Sequence, residues 1–181
     1  MIKLRRANTE DLDFLAIIDL KDEGISVPIY SNMTLSKKEE HREKILKFLL
    51  ENDKGAFVFE ETDSDKRIGM IMYSIANRDI VYPWKTIFNE LERSLFQDDG
   101  RFMEIFQLWV HPNYRRKGLA TKLKLKLEEE ARTYGVNLIY THTEETNIHV
   151  IELNKKLGYQ EVRRGSLWDG TIRVSLIKQL I

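Results

Sequence analysis

Apolar positions along this chain recur every second residue in some stretches and every third or fourth in others. Alternation of these two periods predicts a mixed α/β order. Residues 2–6 alternate as a short strand. Asn8 or Thr9 then caps a helix whose face is Leu12, Leu15 and Ile18, with Glu10 and Asp11 in its first turn. Residues 24–35 break the pattern with Gly24 and Pro28, which predicts a loop holding Tyr30 and Met33. Ser36-Lys37-Lys38-Glu39 fits a capping box and opens a second helix with Ile45, Phe48 and Leu49 on its face. Residues 56–60 and 68–75 are rich in strand formers, and the polar stretch between them predicts an antiparallel pair. Residues 84–96 show helical spacing at Ile87, Leu91 and Leu95 and run into the turn Asp98-Asp99-Gly100.

The second half starts with a long strand pattern over residues 102–110, which Pro112 stops. Residues 116–134 pose a conflict, because Leu123-Lys124-Leu125-Lys126-Leu127 alternates like a strand. Leu119, Leu123 and Leu127 nevertheless recur every four residues, residues 128–131 favour helix, and Gly135 stands where a helix C-cap belongs. Helix is the prediction. A strand over 138–143, a helix over 147–156 closed by Gly158, and strands over 159–163 and 171–179 joined through Asp169-Gly170 complete the order. The expectation is one layered α/β domain over residues 1–181, without repeats or linkers.

Composition removes several classes. Lys plus Arg number 29 and Asp plus Glu 29, so there is no global charge to draw the chain to nucleic acid or to an anionic membrane. With no cysteine, disulfides, thiolate metal sites and a cysteine-linked acyl intermediate are excluded. No window approaches the roughly 18 consecutive apolar residues of a spanning helix. The N-terminus runs straight into polar sequence, and a cytoplasmic location is expected. His41, His111, His142 and His149 show no metal-ligand spacing, so no metal is expected.

The chemically informative stretch is Val110-His111-Pro112-Asn113-Tyr114-Arg115-Arg116-Lys117-Gly118-Leu119-Ala120-Thr121, where a strand ends and a helix begins. A helix N-terminus carries unpaired N–H groups and roughly half a positive charge, and is usually met by Asp or Glu. Here Arg115, Arg116 and Lys117 lead, and no carboxylate follows until Glu128. Cations there cost about 0.3–1 kcal/mol each on an exposed helix. The arrangement makes sense around a bound anion, with Gly118 admitting a phosphate to the backbone and Ala120 too small to obstruct it. The bland alternative is a solvated basic helix start. A nucleic-acid site rests on the same short cluster alone.

Arg115-x-x-Gly118-x-Ala120, with its lead-in Val110-x-Pro112-x-Tyr114, resembles the Arg/Gln-x-x-Gly-x-Gly/Ala signature of GNAT acetyltransferases. Further on, the run from Asn147 to Tyr159 is similar to the family's second motif, Asn-x-x-Ala-Ile-x-Leu-Tyr-x-Lys-x-Gly-Phe/Tyr, and the element order agrees throughout. The resemblance implies a mixed, mostly antiparallel central sheet with helices on both faces and two strands, 102–110 and 138–143, that splay apart. It also implies acetyl-CoA as cosubstrate. The pantetheine arm would pair with backbone at Leu108, Trp109 and Val110. The N–H groups of Arg116, Lys117, Gly118, Leu119, Ala120 and Thr121 would hold the pyrophosphate, and Asn147 would lie beside the arm.

Acetyl transfer to an amine needs a base for the ammonium and a proton for the leaving thiolate. Glu104, a lone carboxylate in an apolar strand, is the candidate base, since desolvation raises such a group's pKa. It stands six residues before Val110, where some histone-modifying members of the family carry a base glutamate. The competing reading is a solvent-facing edge residue. At the position where the family usually carries an acidic tyrosine stands Asn154, which can hydrogen-bond sulfur but cannot replace a phenol as acid. Tyr140, His142 or water would then protonate the thiolate. Otherwise the chain is a non-catalytic acyl-CoA-binding sensor or interaction module. The acceptor class left open spans amine-bearing small molecules, protein N-termini and lysine side chains. Residues 24–35 and 78–101, with Tyr30 and Trp84, are expected to border it. Homodimers are common in the family.

Overall fold

The structure is a computed structural model, and it describes residues 1–22 and 31–181. Tyr30 and most of the loop expected over 24–35 lie outside the described residues. The strands are β1 (Ile2–Arg6), β2 (Lys54–Glu61), β3 (Lys66–Asn77), β4 (Arg101–Val110), β5 (Leu138–Glu144), β6 (Gln160–Ser166) and β7 (Ile172–Gln179). They pair in the order β1-β2-β3-β4-β5-β7-β6. The sheet is mostly antiparallel. Its parallel step, β4 on β5, is confined to Met103 opposite Ile139 and Glu104 opposite Tyr140. The helices are α1 (Leu12–Asp22), α2 (Leu35–Leu50), α3 (Leu119–Thr133) and α4 (Ile148–Lys156). The chain divides into two compact units, Met1–Ser74 with Phe106–Leu123, and Ile75–Ile105 with Lys124–Ile181.

In the first unit β1, β2 and β3 form an antiparallel ladder, and period-two alternation sends Ala56, Val58, Met70 and Met72 to one side. Leu15 and Ile18 of α1 and Ile45 and Phe48 of α2 close that side into a core. Asn8 caps a 3₁₀ turn, Thr9–Asp11, that leads into α1, in a full capping box with Asp11. Asp11 does more than meet a helix dipole. It is fully buried, bonded by Arg5 (2.8 and 2.9 Å) and by Arg67 (2.7 Å), and these contacts hold its carboxyl below the ordinary range against the opposing effect of burial. The second helix departs from expectation. Thr34, not Ser36, is its N-cap, with Thr34 Oγ1 accepting from Lys37 N–H at 3.2 Å.

In the second unit β5 and β6 flank β7, and Phe88, Leu91, Phe96, Phe102, Leu138, Tyr140 and Ile177 share a core. The helix predicted over 84–96 is absent. Its place is taken by two 3₁₀ turns, Phe88–Glu90 and Arg93–Leu95. The Arg78 guanidinium takes the carbonyls of Asn89 and Leu91, and Arg93 takes those of Phe96, Gln97 and Asp98. Carbonyls bonded sideways to guanidinium groups are lost to an i→i+4 ladder. The later elements match the expected order, with Gly135 (φ 68°) and Gly158 (φ 95°) ending α3 and α4.

Candidate functional site

The strand-to-helix turn lies wholly in the first unit. β4 ends at Val110, and His111 N–H bonds to Ile68 C=O at 2.8 Å. Pro112–Tyr114 form a 3₁₀ turn capped by His111, whose Nδ1 accepts from Asn113 N–H at 3.1 Å. Arg115 turns back on the strand it follows, its Nε donating to Val110 C=O at 3.1 Å. That bond closes the turn, so Arg115 shapes it. Arg116 (φ 62°) and Gly118 (φ 80°) then adopt left-handed backbone, the alternation that forms anion-binding nests of successive N–H groups. The space a side chain at Gly118 would fill is open, with nothing within 4 Å.

The helix begins at Leu119, later than the expected start at 116, so the cations stand in the turn before it. Its first ladder bond runs from Lys122 N–H to Gly118 C=O at 3.1 Å. The N–H groups of Leu119, Ala120 and Thr121 therefore stand outside the ladder. Arg116, Lys117 and Lys122 are exposed, and among the described residues none of them has an ion-pair partner. The result is a concave run of backbone donors under uncompensated positive charge, which suits a phosphate.

Along β4 the alternation of buried and half-buried positions fails twice, at Phe102 and Met103, which are both buried, and at Leu108 and Trp109, which are both half-buried. There the Leu108 N–H bonds to the side chain of its own neighbour, Gln107 Oε1, at 3.2 Å. Trp109 packs edge-on against Phe14. The register of β4 with β5 covers Met103 and Glu104, within the second unit.

The other predicted residues belong to the second unit. Glu104 is half-buried and faces Tyr140 across the parallel ladder. Tyr140 is buried with its hydroxyl 3.0 Å from Ser175 Oγ, and burial holds the phenol above its ordinary pKa. Two positions along β5, His142 is pushed down to about 4 by burial and then by the Arg173 charge, so it is neutral at neutral pH. Its Nδ1 is buried without a hydrogen-bond partner, and its ring lies edge-on to Tyr140 and to the exposed Trp168. Asn154 is 1% exposed and its Oδ1 is also buried without a partner, while its C=O receives the Tyr159 N–H at 2.9 Å. Asn147 caps α4 with its carbonyl and is otherwise exposed, its Nδ2 donating to Thr143 Oγ1 at 3.2 Å.

Tyr140 and His142 share one face of β5, and Tyr140 is the register partner of Glu104. Among the described residues no group of three or more His, Asp or Glu side chains could hold a metal ion. No helix among them is long and apolar enough to cross a membrane.

The model of the acetyltransferase (GNAT) family matches residues 26–159. Among solved structures, Arabidopsis thaliana NAA60 in complex with a bisubstrate analogue superposes with a TM-score of 0.73 at 20% identity, over 99% of this chain and 98% of that one. The spermidine/spermine N-acetyltransferase SpeG from Vibrio cholerae gives 0.61 at 17% identity, covering 98% and 92%. The Thermoplasma acidophilum PaiA N-acetyltransferase in complex with coenzyme A gives 0.63 at 16%, covering 99% of each chain. With a family match over most of its length, the chain belongs to the GNAT acetyltransferase family.

Proposed function

We propose that this chain moves the acetyl group of acetyl-CoA to a primary amine by direct attack, with both substrates bound together. One observation carries the reading: the segment from Arg115 to Lys122 gathers N–H groups outside the helix ladder, three exposed cations (Arg116, Lys117 and Lys122) with no ion-pair partner among the described residues, and an open approach over Gly118. The N–H groups of Arg116 to Thr121 hold the pyrophosphate, and the backbone at Leu108, Trp109 and Val110 bonds the pantetheine arm. Asn147 lies beside that arm. The amide of Asn154 donates toward the sulfur.

Glu104 takes the proton from the attacking ammonium, directly or through water. The half-burial of Glu104 and its place opposite Tyr140 support that role. His142 is the second candidate, because its imidazole is neutral at neutral pH and has an unpartnered nitrogen. Tyr140 is a poor source of the proton for the thiolate, since its pKa is raised and its hydroxyl is engaged by Ser175. A thiol of pKa near 8.5 leaves without much help, so water suffices.

The test is thiol release from acetyl-CoA across a panel of amines: polyamines, aminoglycosides, amino acids, and peptides presenting either a free N-terminus or an internal lysine. At least one class should raise release well above the acceptor-free rate and yield an N-acetylated product by mass. Acetyl-CoA binding without product from any class would favour the alternative of a non-catalytic acyl-CoA sensor.

A further inference from the structure

Beside the turn, in the same unit, the ammonium of Lys117 joins a second lysine in a cationic feature around Tyr114. The ring of Tyr114 carries two lysines. Lys117 Nζ lies 5.4 Å and Lys66 Nζ 5.8 Å from its centroid. One lysine comes from the turn and the other from the first residue of β3. The ring itself is fixed: its hydroxyl donates to Glu61 Oε1 at 2.9 Å, its N–H donates to His111 C=O at 2.8 Å, and its edge meets the His111 ring.

Glu61, directly across the β2–β3 hairpin from Lys66, feels the Lys66 charge without forming an ion pair with it, and one carboxylate cannot neutralise two ammonium groups. Its Oε1 receives Tyr114 and its Oε2 receives the Ser64 hydroxyl, and among the described residues neither Lys66 nor Lys117 forms an ion pair. Two ammonium groups drawn to one aromatic ring repel each other. Attraction to the ring, about 0.5–1 kcal/mol at an exposed site, compensates only in part. A second anion beyond the pyrophosphate would relieve the repulsion. CoA carries one, because its 3′-phosphate is a separate, nearly dianionic group on the ribose.

We propose that Lys66 and Lys117, held over Tyr114, bind the 3′-phosphate of CoA and make this chain discriminate CoA from 3′-dephospho-CoA. The proposal rests on the acetyl-CoA reading above. Lys117 thus has two parts, its backbone N–H facing the pyrophosphate and its ammonium the 3′-phosphate. Lys66 serves only the second.

Calorimetric titration of CoA and of 3′-dephospho-CoA into the wild-type protein, Lys66→Met and Lys66→Arg tests this without an activity assay. Each lysine contact should be worth about fivefold in affinity, the scale of one exposed ion pair. Wild-type protein should therefore prefer CoA by more than tenfold at low salt, and the preference should shrink as salt rises. Lys66→Met should lose about fivefold for CoA and nothing for 3′-dephospho-CoA, and Lys66→Arg should restore most of the loss. Equal wild-type affinities for the two ligands, or an equal loss for both in Lys66→Met, would overturn the proposal and leave the pyrophosphate site standing. Binding of neither ligand by a folded wild-type protein would overturn the underlying reading as well.

Discussion

Glu104→Gln should lower the rate of acetyl transfer at neutral pH by roughly 10²–10⁴, the span of general-base catalysis. The substitution keeps shape and hydrogen-bonding capacity and removes basicity. Affinity for CoA should barely move, because the residues proposed to grip it begin at Leu108. The rate of the variant should recover partly as pH rises, since free amine then becomes available without an enzymic base. A Glu104 that only supports the sheet predicts lower stability, a modest rate loss and an unchanged pH dependence. The comparison is the pH–rate profile of both proteins on one identified acceptor. Profiles that run parallel within a factor of a few would remove Glu104 from the proton path. His142→Gln would then be the next variant to compare, because the imidazole is neutral above about pH 4.

A second large effect is expected far from catalysis. Lys124 on α3 is 1% exposed, with its Nζ 4.6 Å from the Tyr159 ring centroid. Burial lowers its pKa to about 7, against the opposing pull of Glu128 one turn along, and Glu128 is itself bonded to Lys178 at 2.9 Å. The folded pKa thus lies below the unfolded value of about 10.4, and between these limits the unfolded chain binds more protons. Stability must therefore rise with pH through that window, and below it the full cost of the buried ammonium is present. Lys124→Met removes the charge at similar volume and leaves the Glu128–Lys178 pair intact. It should stabilise the fold by roughly 3–5 kcal/mol at pH 6, at about 1.4 kcal/mol per pKa unit, and raise Tm by about 10 °C. The gain should fade toward pH 10. Thermal melts at pH 6, 8 and 10 check it, and a lower Tm for the variant at pH 6 would show that the ammonium stabilises the fold.

That lysine also marks where the sequence stopped being informative. The period of Leu119, Leu123 and Leu127 identified the helix and its core line. It could not say how wide the buried stripe is, and Lys124 lies inside the stripe whereas Leu125, 46% exposed, lies outside it. In residues 84–96 the spacing of Ile87, Leu91 and Leu95 correctly signalled burial for Ile87 and Leu91. It misassigned the backbone, because the Arg78 guanidinium that captures the carbonyls of Asn89 and Leu91 is a side-chain event with no local period. The turn at Arg115–Thr121 was legible for a different reason. Cations ahead of a helix, with a glycine between, break the ordinary rule for helix starts, and departures from local rules concentrate at functional sites. The part of Arg115 in closing that turn onto Val110 depends on a tertiary hydrogen bond and was not legible. The neutral state of His142 depends on burial by the β6–β7 hairpin and on Arg173, and its alternating position in β5 was the trace of it in sequence.

Isothermal titration of acetyl-CoA into the wild-type chain and into Gly118→Asp tests the proposed pyrophosphate site most directly. Asp tolerates left-handed backbone better than most residues, and nothing lies within 4 Å of the new Cβ, so the variant should fold. Its carboxylate would occupy and repel the anion's place. Wild-type protein should bind one acetyl-CoA per chain and gain about 2.7 kcal/mol of stability at 100 times the dissociation constant. Gly118→Asp should melt within a few degrees of wild type and bind on the order of 100-fold more weakly, the cost of an unpaired charge against a phosphate. No heat of binding to a folded wild-type chain, or undiminished affinity in Gly118→Asp, would contradict the assignment of this turn.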